Sequence, residues 1–434
     1  MTSTIEANKS LVHRYAQAVI DGDMETIEAL QHPNVHWWVL GQGTLDRTRF
    51  NELVRSGLLA ANKRSVRIIS ITADGDRVAY EAEGEMVFAD RIYRNRYHNV
   101  LVIRDGLIVE GREYMDTRAT AEAFGAAAPS IEFTSVAEGL LLPEGPVAMA
   151  DGSILLVEVA RGTVSRVSPS GAVTVVAELG GGPNGLAIGP DGAVYVCNNG
   201  GGIRAHPGDG ALHLEFAPEL YRGGSIQRVD LGSGAVSTLY TSCDGRPLLA
   251  PNDLVFDRQG GLWFTDYGRA TASGRDFGGI YYCRTDGSHI VRCIDQQISP
   301  NGIGLNAAED RLYWADSMTA RVWVCEIASP GKLARPPSPF MVGVAAYTLP
   351  GFQQLDSLAV EANGNVCAAT VINGGITVIA TDGAMTHYPI ADPLVTNICF
   401  GGPDLKDAWV TAGMTGRLYR ARWPRPGLRL AFNA

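Results

Sequence analysis

Six residues with oxygen-bearing side chains, Glu144, Asn184, Asn252, Asn301, Asp356 and Asn397, occupy one phase of a phrase that recurs down the C-terminal two thirds of the chain. The phrase is a polar start, an apolar strand, a turn and a second strand. Its clearest copies are PNGLAIGPDGAVYVCNNG from Pro183, PNDLVFDRQGGLWFTDYG from Pro251 and PNGIGLNAAEDRLYWADS from Pro300, with looser copies from Pro143, Leu355 and Thr396. Carboxylate and amide oxygens are hard donors, of the kind calcium collects six to eight at a time in flexible geometry. Glu144 and Asp356 supply charge, and Asn252 and Asn301 supply neutral oxygens. The expected centre is two carboxylates plus two amides, with positions left for water and substrate. Asn and Asp ahead of a strand are also ordinary turn formers; recurrence at one phase in six copies is what argues for a donor set. No pair of histidines shares a usable spacing for a transition metal, and no G-x-S-x-G elbow precedes a helix to present a nucleophilic serine.

Such a set needs a scaffold that brings six distant residues to one axis. A unit of antiparallel strands cannot bury both faces alone, so the six copies are expected to stack as the blades of a propeller, with the head residues converging at its centre. Strands such as LAIG, LVFD and LAVE and turns such as Pro190-Asp191-Gly192 fit that reading, and Tyr195, Trp263, Tyr313 and Trp409 are expected to pack blade against blade. The spacing is uneven, with 68 positions between Asn184 and Asn252. Excursions near 199–225, 267–279 and 330–354 are therefore expected at the pocket mouth, which makes His206 and Tyr267 candidates for substrate contact. His206, His213 and His289 are the histidines placed to assist proton transfer.

At 434 residues the chain is long for one domain, and residues 5–125 lack the repeat. Leu11, Tyr15, Ala18 and Val19 recur at helical spacing up to Asp21-Gly22-Asp23, where a short second helix is expected to begin, a further helix is expected over residues 48–61, and long alternating stretches turn at Asp74-Gly75 and Asp105-Gly106. The expected fold is an N-terminal α+β cone over 5–125, a connection at 125–130 and an all-β six-bladed propeller over 131–422, followed by a short tail. A net charge of −10 offers no basic field for a nucleic-acid backbone. Seven cysteines without a zinc-knuckle pair read as free thiols. No apolar run spans a bilayer and no signal peptide opens the chain, so a cytoplasmic protein without membrane partners is expected.

The N-terminal stretch, most specifically VIRDGLIVEGREYMDT, resembles the SnoaL-like branch of the NTF2-like superfamily over most of residues 8–122. That resemblance implies a cone-shaped pocket and pairing into a homodimer. Trp37, Trp38, Tyr97, His98, Glu113 and Asp116 are its pocket or rim candidates; packing and subunit contact are the competing roles. The repeat region, through LPEGPV, SPNGIGLN, QLDSLAVEANGNV and VTNICFGGPDLKDAWVT, resembles the SMP-30/gluconolactonase/luciferin-regenerating family of six-bladed propellers over about residues 132–422. This second resemblance implies that Glu144, Asn301 and Asp356 bind a divalent cation, that Asn252 lies beside it against water or substrate, and that Asp356 is the general base or orients the attacking water. Asn184 matches a position that approaches metal or substrate in some branches, and Asn397 is the weaker sixth head. Calcium is the favoured ion, with magnesium, zinc and manganese as alternatives.

Two departures qualify the family pattern. Ala250 stands where sugar-acid-binding members often carry arginine, and typical members lack the first domain. The expected activity is hydrolysis of a lactone or related ester that is not a simple sugar lactone. Alternatives are a metal-dependent lyase, isomerase or epimerase on the same propeller, or a non-catalytic calcium-binding protein. An aspartate of ordinary pKa, about 4, is a weak base at neutrality, so cation polarisation is expected to carry much of the chemistry.

Overall fold

Leu11, Tyr15 and Ala18 share the buried face of the first helix, α1 (Thr2–Asp21), as residues three and four apart must. Gly22, at φ 72, breaks that helix, and Asp23 caps α2 (Met24–Ala29) by accepting the Thr26 N–H at 3.0 Å. Asp46 caps α3 (Arg47–Ala60) in the same way through Arg49 N–H at 2.8 Å, which starts this helix one residue earlier than expected. Six strands form one sheet: β1 (Gln31–Val39), β2 (Gly43–Asp46), β3 (Lys63–Asp74), β4 (Arg77–Val87), β5 (Ile92–Arg104) and β6 (Leu107–Met115), in the order β2-β1-β6-β5-β4-β3. The β1–β6 pair is parallel and the others antiparallel. Asp105 at φ 51 and Gly106 at φ 74 supply the two left-handed residues of a tight hairpin between β5 and β6. Trp37 sits fully buried in the resulting core, stacked on Phe50 with ring centroids 4.0 Å apart. The last helix of this unit is α4 (Thr117–Phe124).

The structure, a computed structural model, describes residues 2–89, 91–124, 131–271, 274–335, 341 and 343–432. It divides into two units, residues 1–127 and 128–434. The connection expected at 125–130 lies outside the described residues. Among the described residues no helix is long and apolar enough to cross a membrane, and all seven cysteines are free.

The second unit holds six antiparallel sheets of four or five strands among the described residues, beside three two-stranded hairpins. Each sheet begins with one copy of the recurring phrase: Pro143–Ala148, Pro183–Ile188, Pro251–Phe256, Pro300–Leu305, Gln354–Val360 and Val395–Gly401. The sixth is completed by the first strand of the unit, Thr134–Ala137, which pairs with Arg417–Arg422. Each first strand touches the next in chain order, and the sixth touches the first. Glycine after the head residue permits this approach. A Cβ on Gly145 would lie 2.7 Å from Asn184 O, one on Gly185 2.7 Å from Asn252 O, and one on Gly302 2.3 Å from Leu358 N.

First strands of all six sheets line one cavity of about 90 Å³. Leu428 and Phe432 of the tail enter its lining, held by Leu428 N–H to Val360 O and Gly427 N–H to Leu405 O, each 2.8 Å. The tail is further fixed by Glu361, which accepts Trp423 Nε1–H at 2.7 Å and Arg425 Nε–H at 2.5 Å. Val360 ends the strand Gln354–Val360 and Glu361 follows it, so the tail packs at the end of the cavity opposite the head residues. Tyr195, Trp263 and Trp409 are buried as expected, whereas Tyr313 is half-buried and its neighbour Trp314 takes the fully buried place.

Candidate functional site

The head residues share an end of their strands, and three of them leave a buried oxygen without a partner: Glu144 Oε1, Asn184 Oδ1 and Asn252 Oδ1. A buried polar atom left unpaired costs about 1–3 kcal/mol, so each of the three is free to accept from water or to coordinate a ligand. The other carboxylate oxygen of Glu144 accepts the Asn397 amide at 2.8 Å and the Gly145 N–H, which fixes the side chain and ties the last sheet to the first. Thr396 Oγ donates to Pro143 O at 2.8 Å across the same seam. Asn301 donates its amide to Ser317 Oγ at 3.1 Å and accepts from Ser357 Oγ at 3.5 Å, which aims its oxygen toward the fifth sheet.

Burial pushes the Asp356 carboxyl up to about 7; the Asn301 amide opposes the shift and the Asp253 carboxylate adds to it. Burial likewise raises Glu144 well above the usual carboxylate range, with Asp356 and then Asp253 adding their repulsion. These carboxyl groups therefore sense one another across three sheets, and the cluster concentrates negative charge that a cation would relieve. Among the described residues no three His, Cys, Asp or Glu side chains are arranged to hold one ion. A metal would thus have to draw on the asparagine oxygens, and two of the unpartnered atoms are asparagine oxygens. The donor set fits a hard divalent cation.

Asp253 is a further carboxylate of this cluster that the recurring phase did not single out. It follows Asn252 where other copies carry glycine, is 6 % exposed, and accepts from Leu254 N–H at 2.9 Å and Ile303 N–H at 3.3 Å. Burial pushes it up to about 7, with those backbone bonds opposing. A second missed device holds the loops ahead of the heads. Glu158, Asn198, Asp266 and Asp316 accept backbone N–H groups of Leu141 (2.9 Å), Gly182 (2.9 Å), Leu249 (2.7 Å) and Ser299 (3.3 Å). They fall 14, 14, 14 and 15 positions after Glu144, Asn184, Asn252 and Asn301, so the same periodicity contained them.

Tyr267 lies beside this cluster. Burial raises its phenol, the Arg275 guanidinium opposes, and the Asp356 carboxylate adds to the rise. Arg275 stacks over its ring at 4.8 Å. Ala250 has its N–H on Asp266 at 2.8 Å and offers no side chain to the site. His206 sits elsewhere, on the exposed hairpin of strands Ile203–Pro207 and Leu212–Phe216, opposite His213 and 4.0 Å from Glu215. That hairpin reaches the sixth sheet, where Leu212 N–H donates to Met414 O at 2.6 Å. Segments at the head end of the strands also carry exposed large apolar side chains: Phe216, Phe277, Ile298, Met318, Phe352 and Ile372.

In the first unit, Tyr97 and Glu113 line a cavity of about 390 Å³; Trp38, His98 and Asp116 do not. Trp38 and His98 lie on the other face of the sheet against Tyr114, with centroids 5.2 and 6.4 Å away. Asp116 caps α4 through Arg118 N–H at 2.9 Å and Ala119 N–H at 3.2 Å.

Six antiparallel sheets, each headed by a residue with an oxygen-bearing side chain, place the second unit among predominantly β-sheet proteins. The chain belongs to the SMP-30/gluconolactonase/LRE-like family, whose model matches residues 142–414, and carries a SnoaL-like domain matched over residues 12–111. A gluconolactonase of Zymomonas mobilis is 26% identical over 295 residues, 61% of this chain and 75% of that protein. Lactonase drp35 of Staphylococcus epidermidis is 25% identical over 56% of this chain and 67% of its own. A solved regucalcin from Agrobacterium tumefaciens, described as a calcium-binding protein, superposes with TM-score 0.55 at 18% identity, covering 70% of this chain and all of that one. At that identity the superposition speaks for the fold.

Proposed function

We propose that residues 131–422 form a closed six-bladed propeller and that its axis hydrolyses a lactone or related ester with the help of a divalent cation, calcium being favoured. The contacts that run from each first strand to the next, and from the sixth to the first, support closure. The observation that carries the metal-assisted reading is the trio of unpartnered buried oxygens on Glu144, Asn184 and Asn252, set among mutually repelling carboxyl groups. Glu144, Asn301 and Asp356 would hold the ion, with Asn252 beside it. A bound cation supplies polarisation of the ester carbonyl and a more acidic water. The names of the Zymomonas and Staphylococcus relatives favour lactones as the substrate class.

The protein's own groups then do the following. Asn397 and Gly145 fix the Glu144 carboxylate, and Asn301 is fixed by Ser317 and Ser357. Asp356 takes the proton from the water whose oxygen attacks the carbonyl carbon. The bond to the ring oxygen breaks, and that oxygen regains the proton to give the free alcohol of a hydroxy acid. A cation held by the same carboxylate would favour its charged form, so polarisation of the water by the ion would carry the proton transfer and Asp356 would receive the proton.

Substrate class follows from the rim. Ala250 offers no charge for a polyhydroxylated acid, and Phe216, Phe277, Ile298, Met318, Phe352 and Ile372 present apolar surface at the head end. An apolar or aromatic lactone fits better than a sugar lactone. In a panel of substrates, dihydrocoumarin is expected to exceed glucono-1,5-lactone in kcat/KM by at least about ten-fold. Equal or reversed preference would reject the substrate class; no turnover of any lactone or ester would reject hydrolysis.

A further inference from the structure

Tyr267 brings to the head residues a phenol for which the steps above have no use. It follows the strand Gly261–Asp266, whose last residue pairs with Pro251, so it stands at the head end of the third sheet beside Asn252. Its N–H donates to Ala250 O at 2.9 Å, and the chain turns away at once through Gly268, at φ 72, where a Cβ would lie 2.3 Å from Asp276 O. Arg275 holds the ring: its guanidinium lies 4.8 Å over it and donates to Tyr267 O at 2.7 Å and to Ile298 O at 2.6 Å. The hydroxyl end meets Ser317, which follows Asp316 at the head end of the fourth sheet, and is near enough to Asp356 for that carboxylate to act on it.

The bonds around Ser317 decide what the phenol can offer. Ser317 Oγ accepts the Asn301 amide at 3.1 Å and has one proton of its own to give, which goes to the phenol oxygen. The Tyr267 O–H is then left without an acceptor among the described residues, on a half-buried ring at the site. A phenol keeps its proton at neutral pH, so this group donates where the neighbouring carboxylates can only accept. In the hydrolysis set out above, Asp356 attends to the attacking water. The ring oxygen, which departs with the electron pair of the broken C–O bond, has no partner in that scheme. Resting on that hydrolytic reading, we infer that Tyr267 donates a hydrogen bond to the departing ring oxygen of the lactone. The water oxygen bonds to the carbonyl carbon, the ring C–O bond breaks, and the charge gathering on the ring oxygen is held by the phenol until the proton received by Asp356 reaches it. The phenol keeps its own proton throughout, and Arg275 and Ser317 act through it as positioning residues.

Tyr267→Phe keeps the ring and its contact with Arg275 and removes only the donor. Steady-state kinetics of the full chain on two lactones of equal ring size test the assignment: δ-valerolactone, which releases an alcohol, and dihydrocoumarin, which releases a phenol and so needs less help at the ring oxygen. The native protein should open both. The variant should lose about 10²-fold in kcat/KM on δ-valerolactone and no more than about ten-fold on dihydrocoumarin, mainly in kcat, with its thermal melt unchanged. An equal loss on both lactones would mark a role in packing alone, and no loss on δ-valerolactone would show that no donor acts there. A native protein that opens dihydrocoumarin but not δ-valerolactone would lack the help inferred. Each of these overturns the inference and leaves hydrolysis standing; no turnover of either lactone by the native protein overturns hydrolysis itself, and the inference with it.

Discussion

Asp356→Asn is expected to lower kcat/KM for lactone hydrolysis by about 10³-fold while the chain remains folded. The substitution keeps the shape of the side chain but removes both its charge and its capacity to take a proton. Asp356 is half-buried at the head of Gln354–Val360, next to Asn301, so the asparagine can occupy the same space. Removing charge from a cluster in which Glu144 and Asp253 already repel it should not destabilise the metal-free protein. The loss is expected mainly in kcat, because the group acts on the proton that moves in the transition state. Steady-state kinetics on a lactone, with a thermal melt as control, check it; a loss below about ten-fold would remove Asp356 from the proposed role.

Gly302→Ala should destabilise the second unit by about 3 kcal/mol or more. The added Cβ would lie 2.3 Å from Leu358 N and 2.6 Å from the Ser357 carbonyl carbon, both backbone, so neither can swing aside. Relief requires moving the fourth first strand from the fifth, which separates Asn301 from Asp356. Activity should therefore fall along with stability. Gly57→Ala is the contrast: this glycine lies within α3 and a Cβ there meets nothing within 4 Å, so alanine should be neutral or stabilise by up to about 1 kcal/mol. Scanning calorimetry of the two variants separates the cases. Equal transitions would contradict the close approach of the first strands.

The common position of the head residues at the start of their strands was readable from the sequence, because each combines a chemical type with a repeat phase. The parts that escaped did so for physical reasons. Asp253 occupies the position that glycine holds in three other copies, so the repeat described it as a departure and gave no sign that its carboxyl is bonded to Ile303 N–H. The loop-holding residues Glu158, Asn198, Asp266 and Asp316 share a phase, but their role depends on which backbone amides face them, and only folding decides that. His206 was drawn toward the site by its loop; it pairs instead with His213 on an exposed hairpin.

In the first unit the strand period itself held the discriminating information. Neighbours 97 and 98 on β5 point to opposite faces, so Tyr97 and His98 could not both enter one pocket. The register pairs Asn99 with Glu113 and His98 with Tyr114, which places the pocket's polar end on the Tyr97 face. Without knowing which face the helices cover, the chain alone did not say which parity was inside. The SnoaL-like resemblance indicated a pocket, and the packing of α1 and α3 chose its side.

The central claim is that the oxygen cluster at the axis works with a divalent cation. Lactonase activity measured after exhaustive chelation, and again after adding back single metals, tests it most directly. The account predicts at least about a 10²-fold loss on chelation and recovery with calcium. Full activity retained in protein shown to be free of divalent metal would contradict it.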